Sequence, residues 1–342
     1  MTRLALVLAA AALLLPGAAH AAACAPLNCA PSQFGLAGGT MLGFRTAATA
    51  PITVVDLRTG KARWTIHGGF EARNLIVHMD LGAAIVWTDA TTDKTVARVA
   101  NPQLFELVGA SQDGSRAVLR YGRRFAVVSP GSWRVLRVPP GRWDFDALEG
   151  DNLFLIKYDG DGGYQVRLLH LSSGTIDPTV LKQRIWGNPF SRVASPDGHY
   201  LFTMYIASNG AAMVHELDLR TASARCIDLP GTGDYGSAAT WAMVLSRDAK
   251  TLWAVSPGYG RVVGIDVASR AVTTAFRIDL PLWNTGNATA AVLSPDGERI
   301  AIADKETVAL VDLEAQKITS RDKGKAIALG YSPDGANLWK FS

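Results

Sequence analysis

The sequence predicts an all-β fold, a single seven-bladed β-propeller of four-stranded antiparallel blades. Three observations predict it. A turn tetrad recurs along the chain, apolar runs of strand length flank each copy, and the A–B turns, degenerate ones included, stand about 42 residues apart on average. SPDG occupies Ser195–Gly198, Ser294–Gly297 and Ser332–Gly335, SQDG occupies Ser111–Gly114, and SRDA occupies Ser246–Ala249. Pro presets φ for the first turn position, Asp bonds back to the backbone, and Gly accepts positive φ. The flanking runs, such as YLFTMYIA from Tyr200 and RIAIA from Arg299, are rich in β-branched and aromatic residues. Each tetrad therefore reads as a hairpin turn between strands A and B of a blade. Its aspartate reads as a turn former, not an acid catalyst.

A second hairpin, strands C and D, follows each first one. Copies begin at Ile52 (ITVVDLRTGKARWTI), Val96 (VARVANPQLFEL), Phe125, Tyr164, Met213, Arg261 and Thr307. Degenerate A–B hairpins are expected at LIVHMDLGAAIVW, turning near Asp80–Gly82, and at FDALEGDNLFLI, turning near Glu149–Asp151. The A–B turns then fall near residues 80, 113, 150, 197, 248, 296 and 334. The chain finishes on an A–B hairpin and opens on the C–D hairpin at Ile52, so these two halves are expected to complete one shared blade. That would close the ring without a long free edge. An eighth blade is the alternative if GGTMLGFR, from Gly38, belongs to a blade of its own.

The N-terminus reads as a secretory signal over residues 1–23. Arg3 is its positive region, Leu4–Leu15 its apolar run, and Ala19-His20-Ala21 a small-residue cleavage site. The expected organisation is this signal, an extension over 24–37, and the propeller over 38–342. The expected location is periplasmic or secreted. Cys24 after three alanines offers the alternative of a lipid-modified cysteine and a membrane-tethered form. Cys24, Cys29 and Cys226 are too few for a disulfide scaffold. With 48% hydrophobic residues in 342, burial must hold the fold. The formal net charge of +4 does not suggest a nucleic-acid partner, and a monomer is expected.

The run TVVDLRTGK at Thr53–Lys61, together with the SPDG hairpins, resembles exported bacterial propellers of the YVTN and Tol-associated kinds, and more loosely the WD-repeat superfamily. The resemblance covers nearly all of the expected mature chain. It implies the architecture and leaves the activity open. No verbatim YVTN tetrad is present. Asp56, Thr59, Gly60, Lys61 and Trp64 also match, once, the tryptophan-docking repeat of quinoprotein dehydrogenases. In that family the glycine makes the turn and the tryptophan packs on the next blade.

Chemistry-bearing motifs are sparse. There is no G-x-S-x-G elbow, H-E-x-x-H or paired-cysteine motif. Asp159 and Asp161 mimic the start of a calcium loop, but no distal Glu follows and a B–C hairpin turn is required there. Arginines crowd residues 116–142, which suits a solvated rim or a site for an acidic partner. The D–A connections are the longest loops, and loops on a rigid scaffold carry function more often than tight turns do. They hold Trp143, Trp186, Phe190, Tyr235, Trp241 and Trp283, with Asn284, Arg142 and His67 beside them. Those residues either plug the blade ends or bind a protein, peptide or glycan. The expected function is a non-catalytic exported binding or scaffold module with no cofactor. The alternative is a channel-centred enzyme, lactonase-like or quinone-dependent.

Overall fold

The computed structural model describes residues 32–46, 50–159, 163–233, 241–280, 289–303 and 306–342. Seven four-stranded antiparallel sheets form the blades of a propeller. The first holds β1 (Ser32–Leu36), β2 (Met41–Arg45), β3 (Ile52–Asp56) and β4 (Lys61–Ile66), and the second β5 (Phe70–Ala72), β6 (Leu75–Asp80), β7 (Ala84–Asp89) and β8 (Thr95–Ala100). The third holds β9 (Glu106–Ala110), β10 (Ala117–Tyr121), β11 (Arg124–Ser129) and β12 (Ser132–Arg137), and the fourth β13 (Trp143–Glu149), β14 (Asn152–Tyr158), β15 (Tyr164–His170) and β16 (Ile176–Ile185). The fifth holds β17 (Asn188–Ala194), β18 (Tyr200–Ile206), β19 (Ala211–Asp218) and β20 (Ser223–Thr232), and the sixth β21 (Ala242–Leu245), β22 (Thr251–Ser256), β23 (Arg261–Asp266) and β24 (Ala271–Arg277). The seventh holds β25 (Ala290–Leu293), β26 (Arg299–Ala303), β27 (Thr307–Asp312) and β28 (Lys317–Lys323). A two-stranded hairpin, β29 (Ala328–Tyr331) and β30 (Leu338–Phe341), ends the chain.

Burial explains the strand patterns. Middle strands packed between neighbouring blades are apolar on both faces: Val118 and Leu119 of β10, Leu153, Phe154 and Leu155 of β14, and Val262 and Val263 of β23 are all fully buried. Outermost strands alternate or face water, as β12 and β28 do.

The tetrads form one repeated hydrogen-bonded turn. In the seventh blade Ser294 Oγ donates to Asp296 Oδ1 and accepts from Arg299 N at 2.9 Å, Gly297 N donates to Ser294 O at 2.9 Å, and Glu298 N donates to Asp296 Oδ1 at 3.0 Å. The same bonds recur around Ser111, Ser195, Ser246 and Ser332. Ser and Asp together satisfy the turn's own amides, so turn chemistry persists where strand sequence drifts.

Three expectations need correction. The turn near Asp80 joins β6 to β7, the second and third strands of its sheet, so it is a B–C turn. The innermost strand there is β5, only three residues long, and the A–B turn is Arg73-Asn74. VARVANPQLFEL is accordingly not a C–D hairpin: β8 ends at Ala100, and Glu106 opens the next blade. The chain's two ends do not share a blade. Ser32–Leu36, within the expected extension, and GGTMLGFR supply the first two strands of a complete first blade.

The terminal hairpin instead packs between the first and seventh blades. Ala328 joins Leu42, Phe44, Val55 and Leu57 of the first blade, while Leu329 and Tyr331 join Ala290, Ala301 and Val308 of the seventh. The Phe44 and Phe341 rings stack with centroids 5.5 Å apart. Gln33 clasps the joint with one amide. Its Oε1 accepts from Leu329 N at 3.0 Å, and its Nε2 donates to Ala291 O at 2.7 Å. Trp339 Nε1 donates to Leu57 O at 2.7 Å, and its ring lies on Gly60, where an added Cβ would stand 2.5 Å from it. A docked tryptophan does meet the Asp56–Gly60 turn, but it is Trp339. Trp64 belongs to a separate cluster with Ile52 and Val54.

Candidate functional site: loop face and charged inner strands

Strand direction sorts the connections onto two faces. A–B and C–D turns share one, and D–A connections and B–C turns share the other. The exposed large hydrophobics are distributed unevenly between them. Val96, Val135 and Val272 lie on outermost strands. Among the described residues the remaining four are Leu81 at 97% exposure, Leu104 at 71%, Tyr121 at 56% and Trp186 at 47%. All four sit in B–C turns or D–A connections, on the same face.

The loop aromatics expected to bind divide on inspection. Trp143 and Trp241 are buried and plug blade ends. Trp143 Nε1 donates to Pro139 O at 3.0 Å, and Trp241 packs on Tyr259 with centroids 5.1 Å apart. Trp186 and His67 are exposed on the loop face. The Arg142 guanidinium is exposed and lies 4.2 Å from the Tyr158 ring centroid. Tyr235, Trp283 and Asn284 lie outside the described residues, as does the side chain of Phe190. Asp159 N donates to Gly163 O at 2.7 Å, closing the expected B–C turn. Asp161, Cys24 and Cys29 are outside the described residues. Among the described residues no three His, Cys, Asp or Glu side chains group as metal ligands would. Cys226 Sγ lies 3.9 Å from His215 Nδ1.

A second feature was not expected. Charged groups gather along the innermost strands and beside them in the first to fifth blades. Glu71 of β5 is open to water yet ringed by protein, and the resulting desolvation raises its carboxyl above the usual range. Arg45 of the first blade and Arg192 of the fifth oppose that shift. Arg45 is buried, donates to Gly69 O at 2.9 Å, and is lowered by desolvation against the pull of Glu71. Arg192 pairs with buried Asp146, donates to Asp146 O at 2.8 Å, and donates to Thr203 Oγ1 at 3.1 Å. Arg120 pairs with Asp144 and, at 3.1 Å, with Glu106. Burial drives the Tyr164 and Tyr205 hydroxyls far above their usual range, so both stay neutral near Asp146. The innermost strands of the sixth and seventh blades (AMVL and AAVL) carry no charge, so the charge is confined to one side of the ring. The signal was present in WDFDALE and SRVA, where charge interrupts otherwise apolar innermost strands.

No family model matches this chain. No curated protein matches it either. Solved structures do. It resembles apo AztD from Citrobacter koseri with a TM-score of 0.54 at 15% identity, covering 86% of this chain and 87% of that one. It resembles the dihydro-heme d1 dehydrogenase NirN with a TM-score of 0.53 at 16% identity, covering 86% of this chain and 66% of that one. It also resembles hydrazine synthase from Kuenenia stuttgartiensis, with a TM-score of 0.49 at 14% identity, covering 85% and 94%. At these identities the likeness concerns the fold alone. The chain is a seven-bladed β-propeller of four-stranded antiparallel blades that resembles bacterial propellers in structure.

Proposed function

We propose that this protein is an exported, non-catalytic binding module that holds a protein or peptide partner on its D–A loop face. One observation carries the reading: among the described residues, the large hydrophobics exposed in turns and connections, Leu81, Leu104, Tyr121 and Trp186, all lie on that face. Apolar area left open on a rigid scaffold and rimmed by polar groups marks an interaction surface. The Arg120 ion pairs with Asp144 and Glu106 offer fixed donors and acceptors beside it that add specificity to such a contact. Export rests on the N-terminal signal pattern.

The test is purification from the native exported fraction without chelator. The Trp186→Ala variant is expected to lose a stoichiometric partner that wild type retains. Arg247→Ala, in the A–B turn of the sixth blade on the opposite face, is expected to keep it. Equal retention by both variants contradicts the reading. Stoichiometric calcium or a quinone absorbance band in the purified protein would overturn it in favour of channel-centred catalysis.

A further inference from the structure

We propose that the rim of the second to fourth blades on the loop face is a docking site for an acidic peptide segment with apolar anchor residues. The proposal rests on the binding-face reading and narrows it to a place and a chemistry.

The apolar part is held in an unfavourable way. Leu81 and Leu104 have φ of 48° and 52°, the left-handed region that a branched side chain adopts at a cost. Glycine or asparagine would relieve that cost, yet both positions present leucine to water. Both turns are fixed rigidly. Asn101, 1% exposed, donates from Nδ2 to Gly82 O at 3.0 Å and to Phe105 O at 2.9 Å, while its Oδ1 accepts from Phe105 N at 3.1 Å. One buried amide thus ties together the two turns that display the leucines. Strain combined with exposure, held in place by a buried clamp, points to a role beyond folding.

The polar part adjoins it. Tyr121 lies beside Phe105 with ring centroids 5.8 Å apart, and the Arg124 guanidinium stands 5.0 Å from the Tyr121 ring centroid and 5.4 Å from that of Phe105. Arg137 is the cross-strand neighbour of Arg124, and Val138 N donates to Arg123 O at 3.0 Å. Arg142 lies one connection further, over Tyr158. Arg123, Arg137 and Arg142 are exposed and Arg124 is half-buried. None of the four has a carboxylate partner among the described residues. No acidic residue lies between Asp113 and Asp144, and no lysine between Lys94 and Lys157. The planar guanidinium fork matches a carboxylate in two-point geometry, which an ammonium does not. Arginine and tyrosine beside apolar anchors are the residue types that dominate protein interfaces. A polyanion without side chains would leave both leucines unused, so charge and apolar area together favour a peptide.

The test uses a fluorescein-labelled peptide of repeating Glu-Glu-Leu, read by anisotropy at low and physiological salt. Comparison probes are Glu-Glu-Ser and Lys-Lys-Leu repeats and dextran sulfate. Wild type is expected to prefer the Glu-Glu-Leu peptide over all three. Arg123→Ala combined with Arg124→Ala is expected to weaken binding about tenfold or more and to flatten its salt dependence. Leu81→Asn and Leu104→Asn are expected to weaken binding while raising the melting temperature, a split that a purely structural role would not produce. Arg247→Ala should bind as wild type. Absent binding, equal binding of dextran sulfate or Glu-Glu-Ser, or insensitivity to the rim variants would overturn the proposal. If the peptide fails while Trp186→Ala still releases the native partner, this inference falls and the binding-face reading stands. If Trp186→Ala is also without effect, both fall.

Discussion

Ser294 and Asp296 show what one residue contributes to a repeat that survives divergence. The serine hydroxyl donates to the aspartate and accepts from Arg299 N. That hydroxyl bond, and then the Glu298 amide, hold the Asp296 carboxyl below its usual range. A carboxylate whose folded pKa is depressed contributes stability that is fully present above its unfolded pKa of about 3.9 and lost as pH falls through the folded value. Ser294→Ala removes the hydroxyl from a buried position and is expected to cost about 1 kcal/mol at pH 7. Chemical denaturation across pH checks it: the gap between variant and wild type should shrink below about pH 4. A gap constant in pH would mean that the serine acts by packing alone. The SPDG aspartates were legible as turn formers because the turn needs an acceptor at that position. Glu71 was not, since no turn or periodicity marks it, and Arg192 interrupts an apolar strand without naming its partners. Only closure of the ring brings the second blade near the fifth.

At the scale of elements, the terminal hairpin is the part most sensitive to a single change. Gly60 has φ of 67°, and a Cβ there would stand 2.5 Å from the Trp339 ring. Gly60→Ala therefore combines left-handed backbone cost with a clash against an indole anchored by its N–H to Leu57 O. We expect a loss of about 2–3 kcal/mol. Amide exchange should locate it: protection should fall in Ala328–Phe341 and at the Gln33 contacts, with the fourth blade unchanged. Uniform loss of protection would contradict a local joint. The sequence showed a docking glycine here but paired it with Trp64, the tryptophan nearest in the chain. Trp339 is distant in sequence and adjacent only once the ring closes. The misplaced A–B turn has a local cause. β5 is three residues long and lacks the tetrad, while Asp80-Leu81-Gly82 has turn chemistry of its own. Turn signals mark hairpins without saying which hairpin of the blade they close.

At the scale of the molecule, the ring turns a weak sequence repeat into two unlike faces. One carries the tight, self-satisfied Ser-Asp turns. The other carries the long connections, the exposed leucines, Tyr121 and Trp186, and the Arg120 ion pairs. The architecture was legible from recurring turns and apolar runs, because these follow from backbone geometry and burial. Which face carries the longer connections was legible from the spacing of the hairpins. Which aromatics face water was not: Trp143 and Trp241 look like Trp186 in sequence, and packing alone buries two of them and exposes the third. Hydroxyl-radical footprinting tests the binding face most directly, comparing the protein in its native exported fraction with the chain stripped of its partner. Leu81, Leu104, Tyr121 and Trp186 are expected to be protected in the native fraction and reactive once the partner is removed. Protection confined to the Ser-Asp turn face, or no difference between the two preparations, would contradict it.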